Sequence, residues 1–104
     1  MADTVNWYGA SGRGYTYYAI DTGLQSKPGN YVFAKRSQSG GWIPVYIGQT
    51  EDLESRLSGH EKLPCVKRNG GTHIHAHISS ADAKVRRAEE ADLLAKHDPP
   101  CNKE

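Results

Sequence analysis

An arginine and a histidine stand four residues apart near the end of the segment PVYIGQTEDLESRLSGH, residues 44–60. A helix over this segment would place Arg56 and His60 on neighbouring turns of one face. At 100° per residue both lie beside the apolar stripe of Leu53 and Leu57, so we expect them to emerge at the edge of the core, near a sheet. The pair would bring a permanent cation and a titratable imidazole to one point. The simpler interpretation is an ordinary solvated face of an amphipathic helix, and the helix alone does not decide between the two.

A carboxylate in the second half of the chain is a candidate metal ligand. Glu90 is followed by Leu93 and Leu94 at i+3 and i+4, which predicts a half-buried side chain on a helix. Glu89 has Asp92 at i+3 and therefore faces polar neighbours. Half-buried carboxylates are good ligands for hard divalent cations. The alternative is that Glu90 is a plain surface carboxylate.

Three histidines alternate with apolar residues in the segment HIHAH. Strict alternation predicts a strand with one polar face. Histidines on one face can bind zinc, but alternate strand residues are about 7 Å apart, so three in a row chelate one ion poorly. Contact with a nucleic-acid groove and a simple polar sheet face are the other interpretations. The two faces would be His73, His75 and His77 on one side and Ile74, Ala76 and Ile78 on the other.

The elements that must position these residues follow from periodicity, caps and breakers. A segment of weaker alternation, YTYYAI at 15–20, predicts an additional edge strand, and Pro64 with the glycines at 70–71 predicts a loop. The main elements predict an α+β domain with a small three-stranded antiparallel or mixed sheet flanked by helices, in the order β-β-α-β-α. They are a strand at 30–36, a strand at 42–48, a helix capped by Thr50 and reaching about His60, a strand at 72–79, and a helix capped by Ser79 or Ser80 and ended by DPP.

Length and composition limit the class of protein. A chain of 104 residues is expected to form one domain, and its net charge of +1 neither requires nor excludes nucleic acid. Basic residues concentrate locally in VKRNGG and KVRR. The two cysteines are too few and too far apart to predict a disulfide framework, so we expect reduced thiols. No segment predicts a secretory signal or a membrane span, which favours a cytoplasmic location without membrane contact.

The motifs together resemble the GIY-YIG nuclease domain, from about Gly29 to Asn102. The first motif corresponds to Gly29-Asn30-Tyr31, with Asn in place of the usual Ile, and the second is intact as Tyr46-Ile47-Gly48. An arginine follows the second tyrosine by ten residues in this family, and Arg56 does so. His60 occupies the place where the family has a histidine or tyrosine one turn later. The family's metal-binding glutamate precedes a near-terminal asparagine by twelve residues, which selects Glu90 with Asn102 rather than Glu89.

The resemblance implies hydrolysis of a DNA phosphodiester with one Mg²⁺ or Mn²⁺ in each active site. Tyr31 would help to deprotonate the attacking water, with its phenolate stabilised by Arg56, a protonated His60 and the metal. Glu90 would hold the metal, and Arg56 would stabilise charge on the phosphoryl oxygens. The remaining implied roles are a hydrogen bond from Tyr46 to phosphate or water and structural support from Gly48 and Asn102.

Departures from the family pattern leave alternatives open. Gln49 stands where the excision-repair members have a lysine, so an assisting cation is missing. A non-catalytic nucleic-acid-binding module of the same fold therefore remains an alternative, and so does a zinc-structured interaction domain using Cys65, Cys101 and the histidines. Cutting both DNA strands would need two active sites or sequential nicking, so a homodimer is compatible with the activity. We divide the chain into an N-terminal extension (1–28) and a GIY-YIG-like domain (29–104), with nucleic-acid contacts expected from Gln49, Lys67, Arg68, His73, His75 and His77.

Overall fold

The protein is built on one antiparallel sheet with helices on both of its faces. The computed structural model describes residues 4–6, 14–20 and 23–103. Within these ranges the sheet has five strands in the order β1-β2-β5-β3-β4, and all neighbours are antiparallel. The elements are β1 (Thr4–Asn6), β2 (Gly14–Ala19), β3 (Gly29–Arg36), β4 (Trp42–Thr50), α1 (Leu53–Leu57), α2 (Leu63–Arg68), β5 (His73–Ile78), α3 (Ala83–Lys96) and a 3₁₀ turn (Pro100–Asn102).

The three predicted central strands are confirmed as β3, β4 and β5, so the α+β prediction is correct. The long crossover through α1 and α2 returns the chain to β5, which pairs with β3 on the side away from β4. The strand predicted at 15–20 is present as β2, but it is an interior strand, because β5 pairs with one of its sides and β1 with the other. Residues 4–6, which carried no strand signal, form the edge.

Helices α1 and α3 each begin with an aspartate cap, two or three residues after the predicted serine or threonine. The carboxylate of Asp52 accepts the N–H of Ser55 and so caps α1. Thr50 makes a smaller local turn, in which its hydroxyl accepts the N–H of Asp52 at 3.1 Å. At α3 the carboxylate of Asp82 accepts the N–H of Lys84 at 2.9 Å. An aspartate at this position also complements the positive end of the helix dipole.

The end of α1 corrects the sequence prediction. The helix stops at Leu57, because Ser58 is extended and Gly59 has φ of +79°, a conformation that glycine adopts without steric cost. His60 therefore lies beyond the helix and not one helical turn after Arg56. Its position near the sheet is set by the turn at Gly59 rather than by helical periodicity.

A second helix, α2, occupies the segment that was predicted as a loop. Pro64 lies in its first turn, where the missing N–H of proline removes no helical hydrogen bond. The helix buries Cys65 and Val66 against the sheet. In the described part of the chain, no helix is long and apolar enough to cross a membrane.

Side chains of alternating direction on β3 divide the core between the two faces of the sheet. Tyr31 and Phe33 point towards α1 and α2, whereas Val32 and Ala34 point towards α3. The first six residues of β3 are buried, as expected for a strand covered on both faces. The larger cluster contains Tyr31, Phe33, Val45, Leu53, Cys65, Val66, Ile74 and Cys101, and the smaller one contains Val32, Ala34, Ile47 and Leu93.

The two cysteines are joined in a disulfide, so the prediction of reduced thiols is wrong. Cys65 on α2 and Cys101 in the 3₁₀ turn are 36 residues apart in the chain, but their Cα atoms are 5.9 Å apart. Both are buried. Their proximity depends on the packing of α2 and the C-terminal turn on the same side of the sheet, which no local spacing records. The alternative of a zinc site built on these thiols is therefore also wrong.

Candidate active site

The centre of the candidate site is a hydrogen bond between Tyr31 on β3 and His60 after α1. The Tyr31 Oη and His60 Nε2 atoms are 2.7 Å apart, and the two residues are only 1% and 3% exposed. The backbone N–H of Lys62 donates to His60 Nδ1 at 2.9 Å, so Nδ1 is the unprotonated nitrogen of a neutral ring. The ring proton is then on Nε2 and is donated to the Tyr31 oxygen.

His60 is neutral at physiological pH. Burial is the largest effect on its pKa, and the Arg56 charge adds to it, so that the pKa falls to about 4 from the ordinary 6.5. The expectation of a protonated His60 is therefore wrong, because a charged imidazolium is poorly solvated at this position. His60 can still stabilise a phenolate, as a neutral N–H donor.

Tyr31 and Tyr46 share an environment that opposes their ionisation. Burial raises the pKa of the Tyr31 phenol, and the neighbouring Tyr46 and Glu90 raise it further, while the charge of Arg56 and a hydrogen bond from it act in the opposite direction. Burial also raises the pKa of Tyr46, again opposed by Arg56 and reinforced by Glu90. These couplings show that two phenols, a guanidinium and a carboxylate lie within electrostatic range of one another.

Gly48 allows the Tyr31 hydroxyl to lie against β4. The two residues are cross-strand partners, and a Cβ atom at Gly48 would lie 2.6 Å from Tyr31 Oη and 2.9 Å from Tyr46 Cε2. Neither contact is sterically acceptable. The glycine of the YIG motif therefore creates the space in which both phenols fit, which supports the structural role expected for it.

Arg56 reaches the edge of the site from α1. Its Nη2 atom is 3.0 Å from Glu61 Oε1, and the two side chains are 33% and 70% exposed. A pair this exposed contributes little to stability. The guanidinium can therefore exchange Glu61 for a phosphate at low cost.

The structure distinguishes between the two adjacent glutamates of α3. Glu90 is half-buried, and it lies within electrostatic range of the tyrosines, since its charge raises the pKa of both Tyr31 and Tyr46. Glu89 is the more buried of the two, contrary to its polar sequence neighbours, and its Oε1 is 3.6 Å from Nε2 of His77 on β5. Of the two glutamates, only Glu90 influences the pKa of the two phenols.

The donor set of the site fits a hard divalent cation held by few protein ligands. Burial raises the pKa of Glu90, partly offset by the charge of Arg87, so a nearby cation would favour its ionised form. Among the described residues, no group of three or more His, Cys, Asp or Glu side chains could hold a metal. A single carboxylate beside phenolic oxygens suits an ion that keeps most of its water and takes further ligands from a bound phosphate.

Asn102 completes the free edge of β4. Its Oδ1 accepts the N–H of Ile47 and its Nδ2 donates to the Ile47 carbonyl, both at 2.8 Å. The side-chain amide thus takes the place of a neighbouring strand directly after Tyr46. This arrangement supports the expected structural role of Asn102 and closes an edge that would otherwise expose its hydrogen-bonding groups.

The residues predicted to contact nucleic acid differ in their accessibility. His75 is fully buried against Trp42, with ring centroids 4.5 Å apart, so the prediction that it touches nucleic acid is wrong. His73 also packs on Trp42, at 4.9 Å, and His77 lies beside Glu89. The exposed Lys67 and Arg68, at the C-terminal end of α2, are accessible to a ligand.

Sequence inspection missed Arg86, the buried cation of α3. It is 4% exposed, and its Nε atom donates to Gln49 Oε1 at 2.9 Å. Its position could have been predicted, because residues 86, 89 and 93 are spaced i, i+3 and i+7 on the buried stripe of the helix. Its partner could not, because the two residues are 37 apart in the chain.

Comparison with known proteins supports the fold. No family model and no curated protein sequence matches the chain. Solved structures do match: the GIY-YIG N-terminal endonuclease domain of UvrC from Thermotoga maritima, in two point-mutant forms bound to the catalytic divalent cation. Both have a TM-score of 0.58, with 23% and 24% sequence identity over 75% of this chain and 84% of the other. The chain therefore has the GIY-YIG endonuclease-domain fold.

Proposed function

We propose that this protein is a metal-dependent endonuclease that hydrolyses DNA phosphodiester bonds. The observation that carries the proposal is the buried Tyr31–His60 hydrogen bond of 2.7 Å, with Arg56 and Glu90 in electrostatic range of the same phenol. The similar UvrC domain is described as an endonuclease bound to its catalytic divalent cation. A general base, a permanent cation and a metal-binding carboxylate at one point are the groups that phosphodiester hydrolysis requires.

In the proposed mechanism Tyr31 removes a proton from the attacking water. The His60 Nε2–H donates to the phenolate that must form, and the Arg56 charge stabilises it further. Once the phosphate is bound, Arg56 also stabilises the charge on its non-bridging oxygens. Tyr46 donates a hydrogen bond to the phosphate or the water, and Asn102 keeps Tyr46 in place through its bonds to the next residue.

Glu90 is the residue that would hold the cation. We propose one Mg²⁺ or Mn²⁺ for each active site, which would act as a Lewis acid on the phosphate and the leaving oxygen. The carboxylate must be ionised to bind it. Because the pKa of Glu90 is raised by burial, protons compete with the metal at a higher pH than they would at an exposed glutamate.

One observation favours the alternative of a non-catalytic nucleic-acid-binding module. Burial raises the pKa of Tyr31, so little phenolate exists at neutral pH in the free protein. A binding module needs no phenolate and no metal carboxylate. The two functions therefore differ in what they require of Glu90.

The test is cleavage of a panel of labelled DNA structures with Mg²⁺, Mn²⁺ or EDTA, by the wild type and by Glu90→Gln. The substitution keeps the shape of the side chain and removes its charge. We expect EDTA to abolish cleavage and Glu90→Gln to lower the rate by at least ~10³-fold, since several kcal/mol of metal-dependent stabilisation is lost. DNA binding should persist or tighten slightly, because one negative charge is removed.

Glu89→Gln is the matched control, one position away on the same helix. It should leave the rate nearly unchanged. Full activity in EDTA would contradict the metal mechanism, and an inactive Glu89→Gln beside an active Glu90→Gln would show that the neighbouring carboxylate holds the metal. Metal-independent DNA binding without cleavage of any substrate would establish the binding module instead.

The expectations about oligomeric state, cellular location and domain boundaries stay predictions. They are the homodimer, the cytoplasmic location, the absence of membrane contact and the division between residues 1–28 and 29–104. Structural disulfides are rare in reducing compartments, so the Cys65–Cys101 bond does not support the cytoplasmic location. Steep weakening of DNA binding with added salt is expected from phosphate contacts.

A further inference from the structure

Arg86 is a buried cation whose hydrogen-bond partners are neutral groups. Its Nε atom donates to Gln49 Oε1 at 2.9 Å, and its Nη1 atom donates to the Ser80 carbonyl at 2.8 Å. Burying a guanidinium carries a desolvation cost that neutral acceptors only partly offset, so the net stabilisation from these hydrogen bonds is small. The contribution of Arg86 is therefore better sought in orientation than in stability.

The same residue is bound from the sheet at its backbone. The Nδ2 atom of Asn30, which is fully buried, donates to the Arg86 carbonyl at 2.9 Å. In an α-helix that carbonyl also accepts the N–H of the residue four positions later, which is Glu90. Asn30 and Gln49 are direct cross-strand partners on β3 and β4. Two adjacent sheet positions thus hold one turn of α3, the turn that ends at Glu90.

We propose that Arg86 is a positioning residue for Glu90: through Gln49 and Asn30 it fixes the distance and rotation of α3 relative to the strands that carry Tyr31 and Tyr46. Asn30 directly precedes Tyr31, and Gln49 lies three residues after Tyr46. Motion of α3 would therefore move the carboxylate relative to both phenols. This inference rests on the proposed function, because it assigns to the network the geometry of the metal-binding carboxylate.

Charge and geometry predict opposite effects when Arg86 is removed. Arg86→Met takes away a positive charge one turn from Glu90, and electrostatics alone would then strengthen the binding of a cation. Loss of the positioning network would instead weaken it, typically by 10- to 100-fold for residues that orient a metal ligand. A purely structural role predicts a change in stability without a weakening of metal binding.

The experiment measures Mn²⁺ binding to the DNA-free protein by calorimetric titration, together with the thermal unfolding of each variant. We expect Arg86→Met to remain folded and to bind Mn²⁺ at least about tenfold more weakly than the wild type. Lys84→Met, which removes an exposed cation from the same helix, is the matched control and should bind with unchanged affinity. Asn30→Leu removes the backbone contact without changing any charge and should also weaken Mn²⁺ binding.

Each outcome separates the inference from the proposed function. If the wild type binds no Mn²⁺ without DNA, the positioning role is overturned, whereas the proposed function is still decided by cleavage of DNA in Mg²⁺ or Mn²⁺. If the wild type binds Mn²⁺ and Arg86→Met binds it equally well or more tightly, only the positioning role is overturned. Should Arg86→Met fail to fold, Asn30→Leu decides by the same criterion: unchanged affinity overturns the role, and weakened affinity supports it.

Discussion

Tyr31 is the residue at which the requirements of folding and of the proposed chemistry conflict most directly. As a core side chain it is only 1% exposed, and its burial raises the pKa of the phenol that must ionise. The neutral N–H of His60 and the charge of Arg56 are the groups that act in the opposite direction. The proposed base is therefore active only to the extent that these two donors, with a bound metal, offset the burial.

This conflict predicts a steep pH dependence of cleavage. Because the pKa of Tyr31 is raised above 10, the phenolate fraction increases about tenfold per pH unit throughout the neutral range. We expect kcat/KM for DNA cleavage in saturating Mg²⁺ to rise with that slope from about pH 6 to 9, measured at constant ionic strength. Tyr31→Phe should lower the rate by about 10²- to 10⁴-fold.

Tyr46→Phe is the control for this prediction, because it removes the second phenol but leaves the proposed base. It should reduce the rate while keeping the slope. A rate that is independent of pH above 7 in the wild type would contradict the assignment of Tyr31 as the base.

At the scale of elements, the C-terminal turn supports the site through its neighbours. The 3₁₀ turn places Asn102 against the backbone of Ile47, and the adjacent Cys101 is bonded to Cys65 on α2. Asn69, which follows α2, donates to the Cys65 carbonyl at 2.8 Å. The 3₁₀ turn that covers the edge of β4 beside Tyr46 is therefore joined covalently to α2 through the disulfide.

Reduction of the disulfide should destabilise the protein. Closing a loop across the 36-residue separation lowers the entropy of the unfolded chain, which corresponds to about 4 kcal/mol in the loop-closure account. We expect urea unfolding with a strong thiol reductant to show an unfolding free energy lower by about 2–4 kcal/mol than without it. The Cys65→Ser, Cys101→Ser double variant should match the reduced protein and should not respond to the reductant. Equal stability with and without reductant in the wild type would show that the bond contributes nothing to folding.

At the scale of the whole molecule, buried neutral histidines make stability depend on pH. Burial lowers the pKa of His60 to about 4 and of His75 to about 3, both from 6.5. Between pH 6.5 and these values the unfolded chain binds more protons than the folded chain, so the unfolding free energy falls as the pH falls. Above about pH 7.5 neither residue contributes to the slope.

The expected loss is on the order of 3 kcal/mol for each histidine by pH 4, at 1.36 kcal/mol per pH unit. Urea unfolding at a series of pH values from 4 to 8 measures it. His75→Phe should flatten the dependence, because phenylalanine does not titrate, and His73→Phe on the same face of β5 controls for the added ring. Parallel pH curves for the wild type and His75→Phe would contradict the proposed titration of His75.

Local signals in the sequence determined the strands and the pairing of functional positions. Alternation in HIHAH correctly predicted β5 with its histidines on one face, and β-branched runs predicted β3 and β4. The spacing of the family motif selected Glu90 over Glu89, and that selection stays a prediction, although the charge of Glu90 does influence the pKa of both phenols. The strands depend on neighbours within a few residues, so they are visible in a single sequence, whereas the choice of Glu90 depends on the resemblance to the family.

Only the tertiary structure decided the features that depend on distant contacts. The helix predicted to reach His60 ends earlier, yet folding still brings His60 to Tyr31 across 29 residues. The prediction that His60 is protonated is wrong, because burial lowers its pKa below the value typical of histidine. The disulfide and the hydrogen bonds that join Arg86 to Gln49 and Asn30 connect residues that are 36 to 56 positions apart in the chain. A sequence records the side chains that can form such contacts, whereas their partners and their exclusion from water arise only when the elements pack.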